Sequence, residues 1–250
     1  MNTRRKFLIQ GSMATTAMLA LKPFNVIANA ASPFTGLSMS YDKLVFLHTA
    51  SLNPNSDRQV IRYIKDIKNS NANAILLKAG QDTGDETGQL DYDVTINGDN
   101  VFSVMTGDYK IINKGNIRTG IISAKPGDGD VIQKVNTLSA YLKKEKKCKV
   151  VVCLSQLGYK NRNTPDDITL ANKSTHLDII IGGNTKNFRE HPMIALNSNN
   201  GEVIIHSASG KPAVFGKIEI DFNEKGQKKN ISFTNKLSNN SAPNRAMPAA

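Results

Sequence analysis

The 250 residues suffice for one domain with a full hydrophobic core and hardly for two. Trp is absent and aromatics make up 6% of the chain, so aliphatic strands must supply most of that core. The formal charge of +11 raises the prospect of a nucleic-acid or membrane partner, but Arg4, Arg5, Lys6 and Lys22 contribute four of those charges from an acid-free leader. The remaining lysines are scattered apart from Lys143 to Lys149, a run that reads as a solvated helix end leading into a strand.

Thr3-Arg4-Arg5-Lys6-Phe7-Leu8 is a twin-arginine pattern. The weakly apolar run after it is diluted by Gln10, Gly11, Ser12, Thr15 and Thr16, too short and polar for a transmembrane helix. Ala28-Asn29-Ala30 fits a small-x-small cleavage site. Residues 1–30 are therefore expected to be a signal peptide. The protein is expected to be periplasmic or otherwise extracytoplasmic, exported by the twin-arginine pathway, with no transmembrane anchor after cleavage.

Residues 31–42 form a polar lead-in, and Lys43 to Leu47 is the first strand, followed by the loop His48 to Asn55. Asp57 to Asn69 reads as an amphipathic helix, with Val60, Ile61, Ile64 and Ile67 at helical spacing and Ser56 as its N-cap. Ala74 to Leu77 is the second strand, ending at Ala79-Gly80-Gln81. Residues 82–100 are acidic and glycine-rich, with only a short strand at Val94 to Ile96. Asp82, Asp85 and Glu86 there suit a solvated loop better than a calcium site.

Tyr109 to Asn113 and Arg118 to Ser123 are expected to be strands joined by a turn at 114–116, and Asp128 to Lys144 a second helix. Lys149 to Leu154 is the next strand, with Ser155-Gln156-Leu157-Gly158 at its rim, and Pro165 to Lys173 a short helix. Leu177 and Ile179 to Ile181 read as a strand buried on both faces, stopped by Gly182-Gly183. Asn184, Thr185 and Lys186 follow. Met193 to Asn197, Glu202 to His206, Gly216 to Phe222 and Asn230 to Phe233 complete the strands, and residues 236–250 read as a disordered tail.

Strands alternating with helices, then a run of strands without helices, predict an α/β domain over residues 31–235: two sheets packed face to face as a β-sandwich, flanked by helices. The two cysteines bracket a strand; their odd separation places them on opposite faces, too far apart to pair, and Cys153 is expected to be a small core residue. Four strands end in glycine or short polar loops, at 48–53, 79–82, 154–158 and 182–186, beyond the carboxyl ends of the strands where α/β sheets bind ligands.

Those loops resemble the metallophosphoesterase domain of the 5′-nucleotidase (calcineurin-like phosphatase) family. The family's His-Thr-Asn-Asp-x-His stands here as His48-Thr49-Ala50-Ser51-Leu52-Asn53, and its Asp-Ala-Gly-Asp as Lys78-Ala79-Gly80-Gln81. Its Tyr-Asp-x-x-Thr-x-Gly-Asn-His-Asp is similar to the segment Tyr92 to Asp99, Leu-Ser-His-Leu-Gly to Leu154 to Gly158, and Ile-Gly-Gly-His-x-His to Ile181 to Lys186. The resemblance implies a four-layer αββα fold and a site where two divalent cations generate the attacking hydroxide. It also implies that Ser51, Asn53, Gln81, Gln156, Asn184 and Lys186 occupy positions the family gives to aspartate and histidine ligands. A neutral amide at 81 supplies no bridging charge, and an ammonium at 186 repels cations. No metal ligands and no cofactor are therefore expected. His48 is expected to be a packed scaffold histidine; His176, His191 and His206 have no metal-ligand spacing, and no serine triad or phosphate-cradling glycine loop is present.

The resulting expectation is a noncatalytic pseudoenzyme whose cleft binds a small anionic or neutral ligand. Otherwise it serves as partner to an active nucleotidase subunit or to a separate C-terminal-domain protein, because this chain stops before the family's base-gripping second domain. The alternative is an active metal-dependent phosphatase or 5′-nucleotidase, a phosphate monoester hydrolase with an atypical site. Nucleic acid is not expected as a partner, since neither a recognition motif nor an aromatic stacking platform is visible.

Overall fold

The computed structural model describes residues 43–50, 52, 58–80, 90–96, 109–161, 164–184, 191–207 and 213–237. The leader, the tail beyond Leu237, Ser56 and most of the acidic segment lie outside these. One sheet has the order β11-β10-β1-β2-β3, formed by Lys228–Leu237, Ala213–Phe222, Lys43–Thr49, Ala74–Lys78 and Val94–Thr95. The other has the order β4-β5-β6-β7-β9-β8, formed by Tyr109–Lys114, Ile117–Ala124, Val150–Ser155, Ile179–Gly182, Glu202–Ser207 and Met193–Leu196. Parallel neighbours β1 and β2, and β5, β6, β7 and β9, point their carboxyl ends the same way within each sheet.

The two sheets meet over a shared core. Leu44, Phe46, Ile75, Leu77, Ile218 and Ile220 of the first pack with Ile121, Val152, Ile179 and Ile181 of the second. Each fully buried aliphatic side chain contributes about 1.5–3 kcal/mol. The outer face of the first sheet is covered by α1 (Arg58–Ser70), whose Ile61 and Ile64 are buried against Val45, Leu47 and Leu76. The outer face of the second is covered by α2 (Val131–Lys144) and α3 (Asp167–Lys173) through Val135, Leu142 and Leu170. The layers therefore run helix, sheet, sheet, helix, as expected from the order of elements.

β7 is buried along its whole length, and β10 alternates between buried and half-buried residues from Gly216 to Phe222, as its sequence predicts. Two helices start later than expected. Lys125 N–H donates to Asp128 Oδ2 in a turn whose Gly127 and Gly129 have φ of 89° and 65°, and Asp130 caps α2 by accepting from Gln133 N at 3.0 Å. Asp166 likewise caps α3, accepting from Thr169 N and Asn161 N at 2.7 Å each. The β11 ladder extends through Leu237, covering the first residues of the compositional tail.

Both cysteines are free and buried, but they do not lie on opposite faces: both belong to the core between the second sheet and its helices. The reason is that β6 begins at Val150. Cys148 belongs to the turn before it, where strand alternation does not apply.

Candidate functional site

The carboxyl ends of β1, β2, β6 and β7 lock together through their backbones. Ala79 N–H donates to Thr49 O at 3.0 Å, joining the loops after β1 and β2. Gly183 N–H donates to Ser155 O at 2.8 Å, joining those after β6 and β7. Gly80 lies so close to the Ala50 carbonyl, and Gly183 across the sheets to the Ala79 carbonyl, that a Cβ on either glycine would overlap that carbonyl. The glycines that punctuate the sequence are thus the contacts that let the two sheets share one rim.

Of the six residues expected to line the cleft, Gln156 and Asn184 are described, and they meet: Asn184 Nδ2 donates to Gln156 O at 3.1 Å. Gln156 is buried and Asn184 exposed. Gly158, at φ 88°, faces the Asn184 carbonyl. Ser51, Asn53, Gln81 and Lys186 lie outside the described residues.

Beneath this rim sits a pair that the sequence hides. His48 on β1 and His206 on β9, 158 positions apart, share a hydrogen bond between Nε2 and Nδ1 at 2.6 Å. The rings meet edge to face, with centroids 4.7 Å apart and planes at 82°. Gly216 of β10, the ladder partner of His48, makes room for both: a Cβ there would overlap His48 Nε2 and fall 2.7 Å from His206 Cε1. His48 Nδ1 and His206 Nε2 are buried with no hydrogen-bond partner among the described residues. Two neutral imidazoles carry one N–H each, so either tautomeric arrangement leaves one orphan donor and one orphan acceptor. Burial, with the neighbouring His206, pushes His48 well below its ordinary value. Burial alone lowers His206 to about 4. Both rings are therefore neutral at pH 7.

The loop carrying Gln156 is anchored from α3. Ser155 Oγ donates to Asp167 Oδ1 and accepts from Leu157 N at 3.2 Å, while Asp167 N–H donates to Gly158 O at 2.9 Å. Asp167 Oδ2 is buried with no hydrogen-bond partner among the described residues. Burial raises this carboxyl to about 7, with the Ser155 hydrogen bond opposing the shift. Lys78, although at a strand end, shares the face of β2 that carries Ala74 and Leu76 toward α1. It is buried there, 5.6 Å from the centroid of the Tyr92 ring, and Tyr92 is itself hydrogen-bonded to Thr49 Oγ1 at 2.8 Å.

The pKa shifts oppose one another. A histidine whose folded pKa lies below its unfolded value of about 6.5 stabilises the fold less as pH falls from 6.5; each such group removes about 1.4 kcal/mol per pH unit. Asp167, raised to about 7, does the reverse: its folded form holds a proton that the unfolded chain lacks, so it favours the fold as pH falls from 7 toward 4. Asp167→Asn removes that opposing contribution. Its stability between pH 6.5 and 4 should fall more steeply than wild type by about 1.4 kcal/mol per pH unit. Urea unfolding across this range tests it; parallel curves for the two proteins would count against the assignment.

Among the described residues, no three His, Cys, Asp or Glu side chains gather as a cation cage. The described rim offers amides, backbone carbonyls and a serine already engaged by Asp167, and His48 beneath it gives its Nε2 to His206. The described donors alone, without a carboxylate among them at the rim, do not make up a site for a pair of divalent cations.

This layering is the fold of metallophosphoesterase domains. Among solved structures, the chain is similar to a 5′-nucleotidase precursor from Thermus thermophilus, with a TM-score of 0.58 and 17% identity over 79% of this chain and 55% of that one. It is equally similar to the NAD nucleotidase of Haemophilus influenzae, with a TM-score of 0.58 and 16% identity over 79% of this chain and 50% of that one. The chain thus spans about half the length of these structures. No protein-family model matches it, and no curated protein matches it in sequence.

Proposed function

We propose that this chain is an exported metallophosphoesterase-fold protein that no longer hydrolyses phosphate esters. In this reading its cleft holds a small anionic or neutral ligand without metals, or seats an active nucleotidase subunit or a separate C-terminal-domain protein. The observation that carries the reading is the contrast at the rim. The glycine-mediated interlock of the four loops is intact, while the groups it presents at Gln156 and Asn184 are amides that hydrogen-bond but do not bind divalent cations tightly. The sequence extends the contrast, with Ser51, Asn53, Gln81 and Lys186 at the remaining positions where the resemblance places ligands.

Elemental analysis of the purified protein is expected to find well under one equivalent of transition metal, and added Mn²⁺ or Zn²⁺ is expected to elicit no phosphate release from nucleotides or an aryl phosphate. About two equivalents of metal with metal-dependent hydrolysis would instead establish an active enzyme. Equilibrium binding of nucleotides and sugar phosphates with chelator present tests the ligand version, which a flat response across the set removes.

Export rests on the Arg4-Arg5 pattern and the apolar run behind it. Replacing both arginines with lysine is expected to leave the protein in the cytoplasm at its precursor length; unchanged export would point to another route. Among the described residues no helix is long and apolar enough to cross a membrane.

A further inference from the structure

We propose that the pole of the sandwich opposite the cleft docks on an anionic lipid bilayer. The topology gathers cations there from three distant parts of the chain. Arg118 is the second residue of β5, the connection from α2 to β6 carries Lys146, Lys147 and Lys149, and the turn between β10 and β11 carries Lys225. The register places that turn beside the start of β1, where Lys43 pairs with Asp221, so all three segments lie at the amino ends of the parallel strands. The segments touch. Arg118 Nη1 donates to Lys146 O at 3.0 Å, and the Lys149 ammonium lies 2.7 Å from where a Cβ on Gly226 would sit.

The carboxylates of this pole, Asp221, Glu145 and Glu224 among them, offset the ridge only in part. Asp178 is buried and occupied by two other lysines, Lys143 at 2.7 Å and Lys228 at 2.5 Å. Glu219 takes Lys43 at 2.9 Å and Lys217 at 3.0 Å. Among the described residues, Arg118, Lys146, Lys147 and Lys149 have no carboxylate within 4.0 Å, and Glu145 and Glu224 are the exposed acids nearest in sequence. Lysines at the end of α2 are favoured by the helix dipole. The dipole does not account for the convergence of Arg118, Lys149 and Lys225 on the same pole.

The chemistry favours lipid phosphates over a nucleic-acid strand. A single-strand binder needs open aromatic faces for bases to stack on. The exposed aromatic here, Tyr141, already has the Lys146 ammonium 5.2 Å over its ring and Tyr109 packed at 5.7 Å. An amphipathic ring flanked by long cationic side chains suits a headgroup layer. Docked this way, the protein would present its cleft away from the bilayer.

The test is flotation of the full chain with phosphatidylcholine vesicles, with and without phosphatidylglycerol. Wild type is expected to float only with the anionic vesicles and to be released by salt. The variant K146Q/K147N/K149Q shares the same leader and should partition about a hundredfold less, on the order of fivefold per charge. If it does not melt like wild type, K147N/K225Q at two exposed turn positions replaces it, with about a twentyfold loss expected. Equal flotation with neutral vesicles, undiminished flotation of a folded variant, or salt-sensitive binding to single-stranded DNA in place of vesicles would each overturn the proposal.

Discussion

Gly183→Ala should lower the unfolding free energy by about 3 kcal/mol or more, the upper end of what overpacking costs. The methyl group would overlap the Ala79 carbonyl and sit 2.7 Å from Gly80 N. Neither neighbour is a flexible side chain. Ala79 is held by its hydrogen bond to Thr49 O, and Gly183 by its own to Ser155 O. Room for one methyl group must therefore come from prising the two sheets apart at the shared rim, above the buried His48–His206 pair. Gly80→Ala meets the same kind of obstacle within the first sheet, against Ala50. Gly127→Ala is the informative control. Its φ of 89° disfavours a side chain, but no described residue lies within 4 Å of the added carbon, so about 1 kcal/mol of backbone strain is all it should cost. Urea unfolding of the three variants separates the effects; Gly183→Ala within about 1 kcal/mol of wild type would mean that the loops do not interlock as described.

The features readable in advance were those governed by local periodicity. Ile179 to Ile181 could only be a doubly buried strand, and the alternation from Gly216 to Phe222 could only be a strand with one wet face. The rim glycines were legible for the same reason: each comes within three residues of the end of a largely apolar strand. What stayed hidden depends on register between distant strands. Nothing near His206 marks it as the partner of His48; the pairing follows from β1 and β9 belonging to different sheets and meeting at one end. Lys78 shows the same limit. Its sequence position suggests the rim, but the pairing of Thr49 with Lys78 turns its side chain toward α1 and Tyr92. Ser155 looked like a rim hydroxyl until the late start of α3 placed Asp167 on it. The misplacement of Cys148 has the reverse cause, since a strand period was extended one turn too far.

Asp178→Ala should destabilise the fold by about 3 kcal/mol, the low end of the range for breaking a buried ion pair, because its lysine partners keep some contact with water. Asp178 Oδ2 accepts from Val151 N and from Lys143 Nζ, both at 2.7 Å, and Oδ1 from Lys228 Nζ at 2.5 Å. One carboxylate therefore ties α2, β6 and β11 together just ahead of β7. Burial pushes its pKa up, but the charges of Lys228 and Lys143 and their hydrogen bonds outweigh that and hold it below the ordinary carboxylate range. For a carboxyl with a lowered folded pKa, the stabilisation is present above the unfolded value of about 3.9 and is lost as pH falls through the folded one. Asp178→Asn, which keeps an acceptor for Val151, should thus cost less than alanine at pH 7 and should flatten the loss of stability below about pH 4. Adding K143M and K228M to Asp178→Ala removes the two stranded ammonium groups. Recovery of stability in that triple variant would locate the cost in uncompensated charge, whereas no recovery would assign it to the lost acceptor at Val151 and the cavity left behind.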